Sequence, residues 1–349
     1  MKRALIWIFL AAVLVEALVL VAVPRGLSYE RTPLAPTVAL HLPYVPGPRG
    51  PATTPSPTMT PWPTATPDPT PPSGDWLGYV NYYRALAGLP ALSENSTWSD
   101  GCWLHARYMV KNDYVGHSED PGNPWYTVEG AEAAASSNVM ASSSTSATDE
   151  GAIDSWMRGP FHAVGILDPA LQQTGYGSYR EAIGTWQMGA ALDVLRGLGS
   201  VPPSVEFPVR WPGDGVTVPL TAYLGGETPD PLTSCPGYSV PSGLPLIVQI
   251  GSGGLTPNVT AHAFSQGGTP LEHCVFDEID YTNPNPSHQS LGRGVLDMRD
   301  AIVLIPRQPL TPGATYTASI TTNGETYTWS FTVSSVAQGA GGPGQIRIR

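Results

Sequence analysis

From Pro46 to Gly74 the chain reads PGPRGPATTPSPTMTPWPTATPDPTPPSG, and neither a helix nor a central strand can form there. Proline fixes φ and has no N–H to donate. The tract predicts an extended, semi-rigid spacer, reaching about 90 Å at the polyproline rise. Its threonines offer sites for O-linked sugar in a suitable host. The tract divides the sequence into a short N-terminal part and a long C-terminal part, and only the latter can bury a sizeable core.

Before the tract, Lys2 and Arg3 precede an apolar run from Ala4 to Val23 that is broken only by Glu16. The run is long enough to span a bilayer. With the basic pair on its N-terminal side it reads as a signal-anchor whose start stays in the cytoplasm. A cleaved signal peptide is the alternative. Residues 1–23 are thus expected to engage the membrane and 24–74 to form a stalk. The folded part would lie outside the cell, tethered to the membrane or secreted. Charged residues are 13% of the chain and the net charge is −11. No basic cluster follows the N-terminus, so the basic stripe of a nucleic-acid binder is missing.

Beyond the tract, helical and strand patterns divide the chain again. Asp75 can cap a helix with Trp76, Leu77, Val80, Tyr83 and Leu86 on apolar faces, ended by Gly88 and Pro90. A second helix follows Asn95 or Ser96, with Trp98, Cys102, His105, Ala106 and Met109 at helical spacing. Ser136–Ser146 predicts a loop around a short strand at Asn138–Met140. A third helix starts near Thr148 or Asp149, turns Ile153, Trp156 and Met157 inward, and stops at Gly159-Pro160. Short strands fit 175–178, 185–190 and 204–209.

From Trp211 onward turn signals are dense and β-rich runs short. Strands are expected at 246–250, 259–263, 301–305, 316–321 and 327–333, with Asn323-Gly324 as a hairpin turn. This is how an immunoglobulin-like sandwich usually closes. The expected organisation is therefore a module at 75–210, a β-rich module at 211–335 and a disordered Gly-rich tail at 336–349. Outside the cytoplasm Cys235 and Cys274 are the natural disulfide pair. Closing a loop of about 40 residues contributes about 4 kcal/mol in the chain-entropy model. Cys102, on an apolar helix face, reads as a buried thiol.

Several phrases of the 75–200 region resemble the CAP superfamily (cysteine-rich secretory, antigen 5 and pathogenesis-related proteins). VNYYRALAGLPAL, Val80 to Leu92, is similar to the family's N-x-x-R-x-x-x-G-L-x-x-L. WLHARYMVKNDYVGHSED ends in Gly116-His117, where the family places its first histidine. AIDSWMRGPFHAVGILDPALQQTGYG follows V-x-x-W-M-x-S-P-x-H-R-x-x-I-L-x-P with a closing Gly-x-Gly, here Gly175 and Gly177. The resemblance implies an α+β chain: an α-β-α sandwich with an antiparallel sheet, followed by the all-β Ig-like sandwich.

The resemblance also implies a cleft of two histidines and two glutamates. The histidines carry over as His117 and His162. The first glutamate is replaced by Ser137, the second by Arg158 or Gly159, and the arginine after the second histidine is Ala163. Two neutral imidazoles can share a divalent ion such as Zn²⁺. Glu119, Asp120, Glu129 and Asp154 are the candidates for a further oxygen ligand. Three functions compete. The first, and favoured, is a surface-tethered module whose cleft of His117, His162 and Ser137 binds a small, lipid-like or peptide ligand without catalysis. The second is a secreted metal-assisted hydrolase or protease using His117 and His162. The third is an envelope structural protein with a vestigial cleft. No Gly-x-Ser-x-Gly elbow, His-Glu-x-x-His or phosphate loop is present.

Overall fold

The computed structural model describes residues 72–336 and 346–349; the apolar run and nearly all of the Pro/Thr tract lie outside them. Among the described residues no helix is long and apolar enough to cross a membrane.

The first half starts with α1 (Trp76–Leu86), where the Asp75 carboxylate accepts from Gly78 N. After β1 (Ser93–Glu94), α2 (Ser96–Lys111) begins behind Asn95, whose side chain accepts from Trp98 N. Then come α3 (Val128–Ser136) and β2 (Ser137–Ser142). The Thr148 hydroxyl accepts from Gly151 N and caps α4 (Asp149–Arg158), which leads to α5 (Pro160–Ile166). The half closes with β3 (Gln173–Thr174), β4 (Tyr176–Arg180) and β5 (Met188–Asp193). The three expected helices form with the expected caps, because a cap is a local event that sequence can show. α3 and α5 were not expected. Thr127 caps α3, and its Gly/Ala/Ser-rich sequence gives a weak apolar period.

β2, β5 and β4 pair antiparallel in that order. On one face, Val139, Ala141 and Ala191 pack with Cys102 and Met109 of α2 and Ala133 of α3. On the other, Met140, Ala190 and Leu192 join a larger cluster with Trp156 of α4 and Tyr79 and Tyr83 of α1. The Gly-x-Gly motif has a steric cause here. A Cβ on Gly177 would lie 2.1 Å from Trp103 N, and one on Gly175 would lie 2.5 Å from Ser99 N. Only glycine lets the backbone of α2 lie this close to the sheet.

The second half runs through β6 (Val209–Trp211), β7 (Thr217–Val218), β8 (Ala222–Tyr223), β9 (Ser242–Gly243), β10 (Leu246–Gln249), β11 (Val259–Gln266), β12 (Thr269–Pro270) and β13 (His273–Phe276). It continues with α6 (Pro286–Asp297), β14 (Ala301–Pro306), β15 (Thr315–Thr322) and β16 (Glu325–Val333). One sheet has the order β13-β14-β10-β6 and another β12-β11-β15-β16-β7. Asn323 and Gly324, both at positive φ, form the two-residue turn between β15 and β16. Tyr316, Ala318 and Ile320 point inward with Trp329 and Phe331. The outward face is a hydroxyl ladder, such as Thr317–Ser330 at 2.8 Å and Thr321–Thr326 at 2.9 Å. The chain is thus α+β, with several sheets and a β-rich second half. Cys235 and Cys274 form the expected disulfide, their Cα atoms 5.7 Å apart, and Cys102 is a buried free thiol.

Two boundaries differ from expectation. β6, spanning the expected division at 210/211, pairs with β10 and belongs to the second half. Within the tail expected to be disordered, β17 (Ile346–Ile348) pairs antiparallel with β2, extending the first sheet to β17-β2-β5-β4. Alternating isoleucine and arginine gives one buried face and one polar face, which a strand on a half-covered edge can use. The described residues form one compact unit, and the large apolar cluster runs through both halves of it.

Candidate functional site

α5 begins at Pro160, and Gly159 before it has no side chain with which to cap the helix. The cap comes from Glu227, in the second half. Its Oε1 accepts from His162 N at 3.0 Å and meets His162 Nδ1 at 2.6 Å. A carboxylate here also faces the positive end of the helix. Gly159 makes the approach possible: a Cβ there would lie 2.6 Å from Glu227 Oε1. Both partners are buried, His162 at 5% and Glu227 at 4% exposure. Burial raises the pKa of Glu227, and the contacts with His162 work against that rise. Asn138 Nδ2 donates to the His162 carbonyl at 3.0 Å, tying α5 to β2.

His117 follows α2 in the chain, and its Nδ1 donates to the Ala134 carbonyl of α3 at 3.0 Å. The ring keeps an exposed side. Protein packed around it withholds water from the imidazolium, and neighbouring His162, His105 and Arg349 oppose a further positive charge. Against the pull of the Ala134 carbonyl, these push its pKa down to about 4. His117 is therefore neutral at pH 7, with its proton on Nδ1 and an accepting Nε2.

Ser137 is not part of this constellation. It sits on the opposite face of β2, with Oγ 3.6 Å from Cys102 Sγ, because successive strand residues face opposite ways and Asn138 takes the face toward His162. His105, though nearby, is structural: Nδ1 meets Glu119 Oε1 and Nε2 meets the Gly116 carbonyl, both at 2.9 Å. Two of the candidate oxygen ligands, Glu119 and Asp154, are engaged elsewhere. Glu119 holds His105 and Thr127 N. Asp154 accepts from Tyr79 and Tyr83 at 2.8 and 2.5 Å. The carboxylate that does reach a cleft histidine, Glu227, lies in no motif and 65 residues from its partner. Only the departure at Gly159, a glycine where the resemblance places a larger residue, pointed to space for it.

Each cleft imidazole has its Nδ1 taken up by a protein oxygen, which leaves Nε2 as the ring atom able to meet a ligand or an ion. Among the described residues no group of three His, Cys, Asp or Glu side chains is placed to hold an ion, and a catalytic zinc needs three protein ligands. A carboxylate on one ring nitrogen, as in Glu227–His162, is also how a general base is oriented beside a nucleophile. The partners seen for the two rings are Glu227 at His162 and the Ala134 carbonyl at His117.

Residues 77–185 match the model of the Cysteine-rich secretory protein family, CAP. This stretch of the chain is a CAP-superfamily domain. The match runs from the second residue of α1 through β4, takes in His117 and His162, and stops before Glu227 and β17. A solved structure described as an extracellular protein containing an SCP domain, from Bacillus anthracis str. Ames, is similar over 35% of this chain at 16% identity and a TM-score of 0.27. The similarity covers 39% of that protein's own chain. Comparison with curated proteins gives no match. Two segments outside the matched stretch make contacts with it: Glu227 with His162, and Ile346–Ile348 with β2.

Proposed function

We propose that the chain is an extracellular CAP-domain protein whose cleft binds a ligand and does not turn it over. The observation carrying this reading is the arrangement of the two imidazoles. Their Nδ1 atoms are fixed by Ala134 and Glu227, which orients the rings for recognition. Among the described residues no third metal ligand is grouped with them. The ligand would be small, lipid-like or a peptide, and would meet His117, which is exposed. The β-rich half, read as Ig-like, holds the cleft together through Glu227. Extracellular placement is supported by the Cys235–Cys274 disulfide and by the apolar run and Pro/Thr tract of the sequence, which would anchor and space the domain.

Zinc titration by calorimetry separates binding from metal-assisted hydrolysis. The chain and its His117→Ala/His162→Ala variant should give the same heats, with no saturable binding that depends on the histidines. Saturable zinc binding lost in the variant would move the site to the hydrolase reading.

A further inference from the structure

Ile346–Arg349 lies in a slot with backbone on both sides. On one wall, Val139 N donates to the Arg349 carbonyl and Arg349 N donates to the Val139 carbonyl, both at 3.0 Å. On the other, Ile348 N donates to the Gly226 carbonyl at 2.9 Å. Gly226 is at φ +87°, and a Cβ on it would lie 2.9 Å from the Ile346 carbonyl oxygen. The slot is therefore shaped by a glycine for the close passage of an extended main chain. Without its occupant, the edge of β2 would present unpaired N–H and C=O groups, the template on which strands add.

We propose that this slot, between β2 and Gly226, is a docking site for an extended segment of another polypeptide, and that Ile346–Arg349 occupies it as an intramolecular stand-in. The inference rests on the binding-module reading and names a peptide as its ligand. Main-chain bonds supply affinity in strand addition, and alternate side chains supply specificity. The stand-in shows which side chains the slot accepts. Ile348 is 2% exposed within the large apolar cluster, and Ile346 packs at its margin. Arg347 places its guanidinium 5.6 Å above the Trp186 ring. The charge of Arg349 acts on His117, where it opposes protonation of the ring. The partner segment thus alternates branched apolar residues with basic ones, a charge that suits a chain of net −11. A tethered strand competes at an effective concentration in the millimolar range, so a free peptide meets a largely blocked slot.

The test is fluorescence anisotropy with a labelled peptide of residues 344–349, Gly-Gln-Ile-Arg-Ile-Arg. The full chain is compared with a chain ending at Val336 and with full-length Ile348→Asp, which drives the stand-in out by placing a carboxylate in an apolar site. At least one of the two variants, folded by near-UV circular dichroism, should bind the peptide at least tenfold more tightly than the full chain. A peptide with Asp in place of its second isoleucine should not bind. A folded variant that takes up no peptide, or equal binding to the full chain, overturns the proposal. So does loss of folding in both variants, which would make β17 an integral strand. Adding His117→Ala to the variant that binds separates the two readings. Unchanged uptake would keep the slot and leave the histidines out of it, whereas failure of the slot leaves the zinc result standing for the cleft.

Discussion

Glu227 reaches His162 through the space that Gly159 leaves, so the two positions should behave as one unit. Glu227→Gln leaves a buried imidazole with a weaker partner, at a cost of about 1–3 kcal/mol. Gly159→Ala forces a methyl against the carboxylate, at about the same cost for overpacking. Once the carboxylate has been displaced by one change, the second has less to break. The double variant should therefore lose less than the sum of the singles, by about 1 kcal/mol or more, in urea denaturation. Additive losses would mean that Gly159 tolerates the methyl without moving Glu227. His117 offers a separate test by pH. Its folded pKa, about 4, lies below the roughly 6.5 of an unfolded histidine. Between these values the unfolded chain binds a proton that the folded chain refuses, so stability falls as pH drops from about 6.5 toward 4 and is unaffected above that window. In His117→Gln, which cannot take up the proton, Tm should fall less steeply from pH 7 to pH 4. Parallel curves for the two proteins would show that the ring is protonated freely.

At the scale of elements, what the sequence revealed was local. Asp75, Asn95 and Thr148 cap their helices, and Asn323-Gly324 turns its hairpin, because each signal acts within a few residues of itself. The arginine of the N-x-x-R phrase shows what a motif can carry beyond that range. Arg84 is 1% exposed. Its Nε donates to the Pro90 carbonyl, Nη1 to those of Ile166 and Asp168, and Nη2 to that of Leu171. The planar fork ties the end of α1 to the chain leaving α5, and burial lowers its pKa to about 10. Elements whose partners lie far away in sequence were not legible. α6 is capped by Asn285 and begins at Pro286, but its glycines and serines blur the apolar period. β17 is three residues after a Gly-rich run, and the alternation Ile346-Arg-Ile348-Arg was the one signal for it. Of the site, the two histidines were readable from the family pattern. Ser137, expected with the histidines because it stands where the resemblance puts a glutamate, turns toward Cys102 instead, since a strand's facing depends on its register. Glu227 depended on a contact between halves that no local pattern encodes.

Across the molecule, the halves expected as separate modules are bonded as one. Phe161 of α5 sets its ring 4.9 Å from Tyr281 and 6.3 Å from Phe276 of the second half. Arg299 and Asp168, both nearly buried, form an ion pair at 2.9 Å. Gln249 donates to the Leu167 carbonyl at 2.9 Å, and Arg158 to the Ala222 carbonyl at 3.1 Å. Each bond satisfies a buried polar group of one half with an atom of the other, so separating the halves would leave donors and acceptors unpaired as well as apolar surface wet. Unpaired groups of this kind cost about 1–3 kcal/mol each, which over several contacts is comparable with the whole stability of a domain, about 5–15 kcal/mol. Unfolding of the chain should consequently be a single calorimetric transition, with calorimetric and van't Hoff enthalpies in agreement. Residues 75–210 expressed alone should lack the sharp near-UV circular dichroism of a packed core. Two resolved transitions, or a folded 75–210 fragment, would show that the contacts join two independently stable domains and that Glu227 reaches the cleft across a surface able to open.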